Sequence, residues 1–203
     1  MSSAVIQKLK ELGYTTISEE FYGQVDLWES WYVGKVKGFH QYRRYNGHKW
    51  TKHNRATLSM GKKVCEDWAN LLMNEKVKIT LEGKKEQDFI DRVLAENNFT
   101  VKANEMQEMK SALGTVAYIP RVTGQGVTDS GEIIPGDASS IVIDYATMHD
   151  IYPLAWQNGF IYDCAFTSRV TRDGKDYVYF QIHRRANDGT YVIENRIYRY
   201  QNE

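Results

Sequence analysis

The chain has 203 residues, enough to bury a sizeable core and short enough for one large domain or two small ones. Lysine plus arginine and aspartate plus glutamate both number 26, so overall charge makes no case for nucleic acid or an anionic membrane as a partner of the whole chain. With 42% hydrophobic and 26% charged residues and only three prolines, the composition excludes a disordered or fibrous chain.

The first helix is predicted from about Ser3 to Leu12, where Val5, Ile6, Leu9 and Leu12 share a face and Gly13 is a natural stop. Ser18 is placed to cap a second helix, with Glu19 and Glu20 in the first turn where the helix dipole favours acids. Its apolar face is Phe21, Val25, Trp28, Trp31 and Tyr32, and Gly34 ends it. From Ser30 to Cys65 there is no acidic residue. That span holds Lys35, Lys37, Arg43, Arg44, Lys49, Lys52, Arg55, Lys62 and Lys63, three histidines (His40, His48, His53), and interleaved Phe39, Tyr42, Tyr45 and Trp50. A short hairpin turning at Asn46-Gly47 is the one regular element expected within it. Because the whole chain is neutral, its charge is segregated along the sequence.

Leu58 to Leu81 reads as a helix feeding a strand. Val64, Cys65, Trp68, Leu71 and Leu72 recur at helical spacing, which predicts that Trp28, Trp31, Val64, Trp68, Leu71 and Leu72 are structural core. Val77, Ile79 and Leu81 alternate with polar residues, which predicts a strand over 76–81. Helices follow over about Lys84 to Asn97 and Lys102 to Leu113, and residues 115–203 are β-rich. Thr123 to Ser139 is a polar, glycine-rich excursion. Asn158-Gly159, Asp173-Gly174 and Asp188-Gly189 separate alternating runs and predict an antiparallel meander. The fold class expected is α+β, with N-terminal helices packed on a mainly antiparallel sheet, in a single region over 1–203.

Chemistry is sparse. Gly61-Lys62 fails as a phosphate-binding loop, since Ala56 stands where the first glycine belongs and Lys63 where Ser or Thr belongs. Gly124-Gln125-Gly126 lacks the third glycine of a dinucleotide fingerprint. His40, His48, His53 and Cys65 match no compact zinc spacing, and no carboxylate pair stands out. Cys65 and Cys164 form no disulfide framework, which points to a reducing compartment. No apolar run approaches the ~18 residues of a membrane span, and the N-terminus lacks the apolar stretch of a signal peptide. No catalytic, metal or cofactor site is expected. The basic aromatic span has three readings: a positive surface that pairs with the acidic remainder of the chain or with a neighbouring subunit, a face that lies on phosphates and stacks on bases, or a site for other anions.

The run Val64 to Ile79, VCEDWANLLMNEKVKI, with the preceding Thr57 to Lys63, resembles the N-terminal part of portal proteins from tailed phages of Gram-positive bacteria. Trp28-Glu29-Ser30-Trp31-Tyr32-Val33-Gly34, Leu113-Gly114-Thr115-Val116-Ala117, Ile151 to Gly159 and Asp163-Cys164-Ala165-Phe166 resemble further family segments in order and spacing. The resemblance implies a portal wing, with the family's stem and clip absent, hence a wing fragment or truncated form. It implies a structural subunit of a ring of about a dozen copies at one capsid vertex. That ring is a conduit for double-stranded DNA in packaging and ejection. Its implied partners are terminase, capsid or scaffold, and tail-adaptor proteins, with no cofactor, no catalysis and no membrane. The implied locations are the virion and, during assembly, the host cytoplasm. Lys35, Lys37, Arg43, Arg44, Lys49, Lys52 and Arg55 are the candidate DNA or subunit-interface contacts. The alternative is a stand-alone nucleic-acid-binding module using residues 35–55.

Overall fold

Glycine and asparagine turns set most of the element boundaries. Helix α1 (Ser2–Glu11) stops just before Gly13, and α2 (Glu19–Tyr32) just before Gly34. Gly34 holds a left-handed φ of 67°. Its amide donates to the Trp31 carbonyl at 3.2 Å and the Lys35 amide to the Ser30 carbonyl at 2.8 Å, the paired closure of a helix end around a left-handed residue. A Cβ at this position would lie 2.9 Å from the Thr57 methyl carbon, so both backbone and space call for glycine.

The computed structural model describes residues 2–74, 77–128, 133–134, 136, 139–186 and 188–200. After α2 come β1 (Gln41–Tyr45), β2 (Trp50–Asn54), α3 (Met60–Leu72), α4 (Lys84–Glu96), α5 (Phe99–Leu113) and β3 (Val116–Thr123). There follow β4 (Gly126–Val127), β5 (Ile133–Ile134), β6 (Ser140–Thr147), a 3-10 turn at Met148–Asp150, β7 (Ile151–Gln157), β8 (Phe160–Arg172), β9 (Lys175–Arg185) and β10 (Tyr191–Arg199). The fold is α+β and ends in an antiparallel meander of order β10-β9-β8-β7. Asn158-Gly159 and Asp173-Gly174 take consecutive left-handed conformations at two of its turns, as mirror-type hairpin turns require. Residues 1–27 with 146–203 form one unit, and residues 28–145 form the other.

In the first unit, Val178, Phe180 and Ile182 are buried at period two on β9. Val5 and Lys8 of α1 line a groove with Val178, Phe180 and Tyr198. Tyr22 stacks on Tyr152 at 5.0 Å, and its hydroxyl donates to the Ile151 carbonyl at 2.8 Å. Packing aromatic area while satisfying the polar tip is how a tyrosine is buried without loss. His183 is less well provided for. Its Nδ1 meets the Tyr191 hydroxyl, while its buried Nε2 has no partner among the described residues. Burial lowers its pKa from the usual 6.5.

In the second unit, α3 packs on α5 through small residues. Cys65 and Ala69 are buried on α3, Ala103 and Met106 on α5, and Asn104 donates to Asn70 at 3.0 Å beside them. This corrects the expected core. Trp28, Trp31, Val64, Trp68, Leu71 and Leu72 are 38% to 65% exposed, whereas Ala69 is 0% exposed. Both sides of α3 carry apolar residues, and the side of small residues permits the closer helix approach. Helical periodicity identifies an apolar stripe but not which of two stripes meets a neighbour. The strand expected over 76–81 is also corrected: Val77 to Leu81 makes no ladder, and Lys76 lies outside the described residues. Gln87 of α4 holds that segment instead. It accepts the Leu81 amide at 2.7 Å and donates to the Ile79 carbonyl at 3.1 Å.

Asn97, buried at the end of α4, ties the helices to β6. Its amide nitrogen donates to the Val93 carbonyl at 2.8 Å and the Ile141 carbonyl at 2.7 Å, and its oxygen accepts the Ile143 amide at 2.7 Å. Lys102 adds a bond to the Ile143 carbonyl at 2.7 Å.

Three outcomes follow. Asn97→Ala removes the partners of partly buried backbone groups of Ile141 and Ile143 and is expected to cost roughly 1–3 kcal/mol in urea unfolding; a loss within about 0.5 kcal/mol contradicts the clamp. Ala69→Leu is expected to cost about 1–3 kcal/mol by overpacking the α3–α5 contact, and Trp68→Ala less than about 1 kcal/mol. The reverse order in thermal melts contradicts the exposed placement of Trp68. Since His183 is held neutral, the stability that it contributes is present above pH ~6.5 and falls as pH drops through its lowered folded pKa. With His183→Phe, the fall in urea midpoint between pH 7 and pH 5 is expected to shrink; an unchanged fall means that other groups carry it.

Candidate functional site

The basic span folds as an antiparallel hairpin, β1 against β2, with Arg43 opposite Lys52 and Tyr45 opposite Trp50. Asn46 shapes the turn, its side-chain oxygen accepting the amides of His48 at 3.1 Å and Lys49 at 2.9 Å. Gly47 supplies the left-handed residue at φ 97°. Two isolated strands are marginal alone, so the base of the hairpin needs an anchor. Trp31 lies 5.2 Å from the Phe39 ring and 5.6 Å from His40, and the Arg55 guanidinium sits over Phe39 at 5.0 Å and over Tyr42 at 5.2 Å. His40 is buried, its Nδ1 accepting the Val36 amide at 3.0 Å, and the Arg55 amide donates to the His40 carbonyl at 2.8 Å.

All seven predicted cations are exposed, but they are not equivalent. Arg55 is spent on the aromatic anchor. Lys35 closes the end of α2 through its backbone. Lys37, Arg43 and Lys52 line one open groove with Tyr42 and His53. Arg44 and Lys49 lie elsewhere on the hairpin and its turn. None of Arg43, Arg44, Lys49 and Lys52 has an ion pair among the described residues. Elsewhere Lys8 pairs with Glu11 (2.9 Å), Lys62 with Glu66 (3.5 Å), Lys63 with Asp67 (2.7 Å) and Arg121 with Asp144 (2.8 Å).

His40, His48, His53 and Cys65 do not gather as a ligand set among the described residues. His53 instead stacks on Tyr42 at 5.5 Å and meets the Thr51 hydroxyl at 2.8 Å. Neither cysteine is prepared as a nucleophile, because burial raises the Cys65 thiol and pushes Cys164 up to about 12. A second surface was missed by sequence reasoning. Met60, Val64, Trp68 and Leu71, spaced at three and four residues, form an exposed stripe along α3. The signal was a helix apolar on more than one side, read there as a single core face.

These surfaces are suited to docking and offer no catalytic constellation among the described residues. No curated protein matches the chain. A family model does, described as phage portal protein, SPP1 Gp6-like, over residues 13–156. That range takes in α2, the basic hairpin, α3 to α5, β3 to β6 and all but the last residue of β7. The family is structural, concerned with capsids and genome packaging. With most of its length matched, the chain belongs to the SPP1 Gp6-like phage portal proteins.

Proposed function

We propose that the chain is a structural subunit of a homo-oligomeric portal ring of about a dozen copies. The ring stands at one capsid vertex, carries double-stranded DNA in packaging and ejection, and gives the terminase motor its docking site. Capsid or scaffold and tail-adaptor proteins meet its other faces, and this chain supplies a wing part of the subunit. Its assembly takes place in the host cytoplasm. The observation that carries the reading is the family match over residues 13–156.

The exposed stripe of α3 supports it. A tryptophan flanked by aliphatic residues is the usual centre of a protein interface, and Trp68 is 52% exposed between Val64 and Leu71. A ring closes head to tail, so one subunit's stripe meets a different surface on the next. We assign the stripe to that contact.

Negative-stain microscopy and sedimentation of the purified chain, alone and with the capsid proteins, test this. Closed rings are expected. Trp68→Glu is expected to leave the thermal melt nearly unchanged while ring formation falls at least tenfold. A wild-type chain that sediments as a monomer under every condition overturns the ring, whereas intact Trp68→Glu rings overturn only the assignment of the stripe.

A further inference from the structure

One face of the basic hairpin sets two cations beside two exposed aromatic rings. Successive residues of a strand point to opposite faces, and directly paired residues share one. Arg43, Lys52, Tyr45 and Trp50 therefore lie together, the cation pair two register positions from the aromatic pair. Opposed like charges destabilise a hairpin unless something neutralises them. No acid occurs between Ser30 and Cys65, and neither cation has an ion pair among the described residues. Beside them, Tyr45 and Trp50 are 52% and 67% exposed, their rings 5.6 Å apart and tilted by 50°. The other face is partly used internally: Tyr42 stacks on His53, and Arg55 covers Tyr42.

We propose that the Arg43–Lys52–Tyr45–Trp50 face binds single-stranded nucleic acid, with phosphates on the two cations and a base on Trp50. The site stands on the hairpin alone and does not depend on ring assembly. Three observations choose this occupant. Cations without counter-charges call for a polyanion. The faces of aromatic rings are electron-rich, so acidic side chains avoid them, whereas bases stack on them. The two pairs are two residues apart along each strand, about 6.8 Å at 3.4 Å per residue. In a duplex each base is already covered on both faces by its neighbours, so none is free to lie on Trp50. An unstacked strand can set a phosphate on the cation pair and lay the adjoining base on the rings. The groove lined by Lys37, Arg43, Lys52 and His53 gives the backbone a path away from that point.

The test is fluorescence anisotropy of the full 203-residue chain with labelled oligodeoxythymidine over a range of salt concentrations. Trp50→Ala is expected to weaken binding by about 5- to 100-fold, the worth of one stacked base. Trp50→Phe is expected to retain most of the affinity. R43Q/K52Q is expected to reduce the slope of log affinity against log salt by about 1.4, two phosphates at about 0.7 each. R44Q, on the opposite face, is expected to change that slope by less than half as much. Circular dichroism of each variant confirms that the hairpin substitutions leave the chain folded. Equal affinity for a duplex of mixed sequence, or equal competition by polyglutamate, overturns the proposal in favour of duplex or acidic-protein binding. Unchanged affinity in Trp50→Ala, or no binding even at low salt, also overturns it.

Discussion

The second unit depends on the close approach of α3 to α5. Ala69 and Ala103, both essentially inaccessible, let the two helix backbones come together. A helix has one circumference, and using the alanine side inward turns the bulkier side outward. Trp68, Val64 and Leu71 are exposed for that reason. Burying them inside this unit would push the helices apart and leave voids around Ala69, so the arrangement trades a larger internal apolar area for a tighter contact. The outward side chains remain as exposed apolar surface. The same exposed apolar area that makes a lone subunit less comfortable in water favours its association.

Charge is distributed by the same economy. The chain is neutral overall, and several of its cations on helices and on the meander have carboxylates within reach. Glu194 is held below its usual pKa by Arg196 and Arg184, at 2.8 and 2.6 Å. The hairpin departs from this pattern because its strands hold no acid at all. What holds the hairpin in place is aromatic: Trp31, Phe39 and His40 at its base, with Arg55 laid across two rings. Arg55 thus serves packing, which a count of basic residues cannot distinguish from ligand binding.

The sequence disclosed the features with a short-range physical cause. Asn-Gly and Asp-Gly turns, the glycine stop of α2 and the alternation on β9 each depend on a few adjacent residues, and the meander follows from them. The hairpin at Asn46-Gly47 was legible for the same reason. Features set by partners distant in sequence were not legible. Val77, Ile79 and Leu81 alternate as a strand does, yet Gln87 of the following helix takes their backbone groups. Asn97 looked like a helix terminus; two of its three side-chain bonds depend on Ile141 and Ile143, more than forty residues away. Within the candidate site, the cations were visible as a group. Their sorting onto hairpin faces required the register that sets Arg43 against Lys52.

The Asn97 clamp bears on behaviour at high local concentration. A two-stranded sheet leaves main-chain donors and acceptors along its margins, and an open margin is a template for another chain. On β6 the Ile141 carbonyl and both backbone groups of Ile143 are already taken by Asn97 and Lys102. A strand arriving there would have to displace three bonds made by helix side chains before forming its own. These bonds guard that edge against pairing with another chain and leave side-chain surfaces such as the α3 stripe exposed.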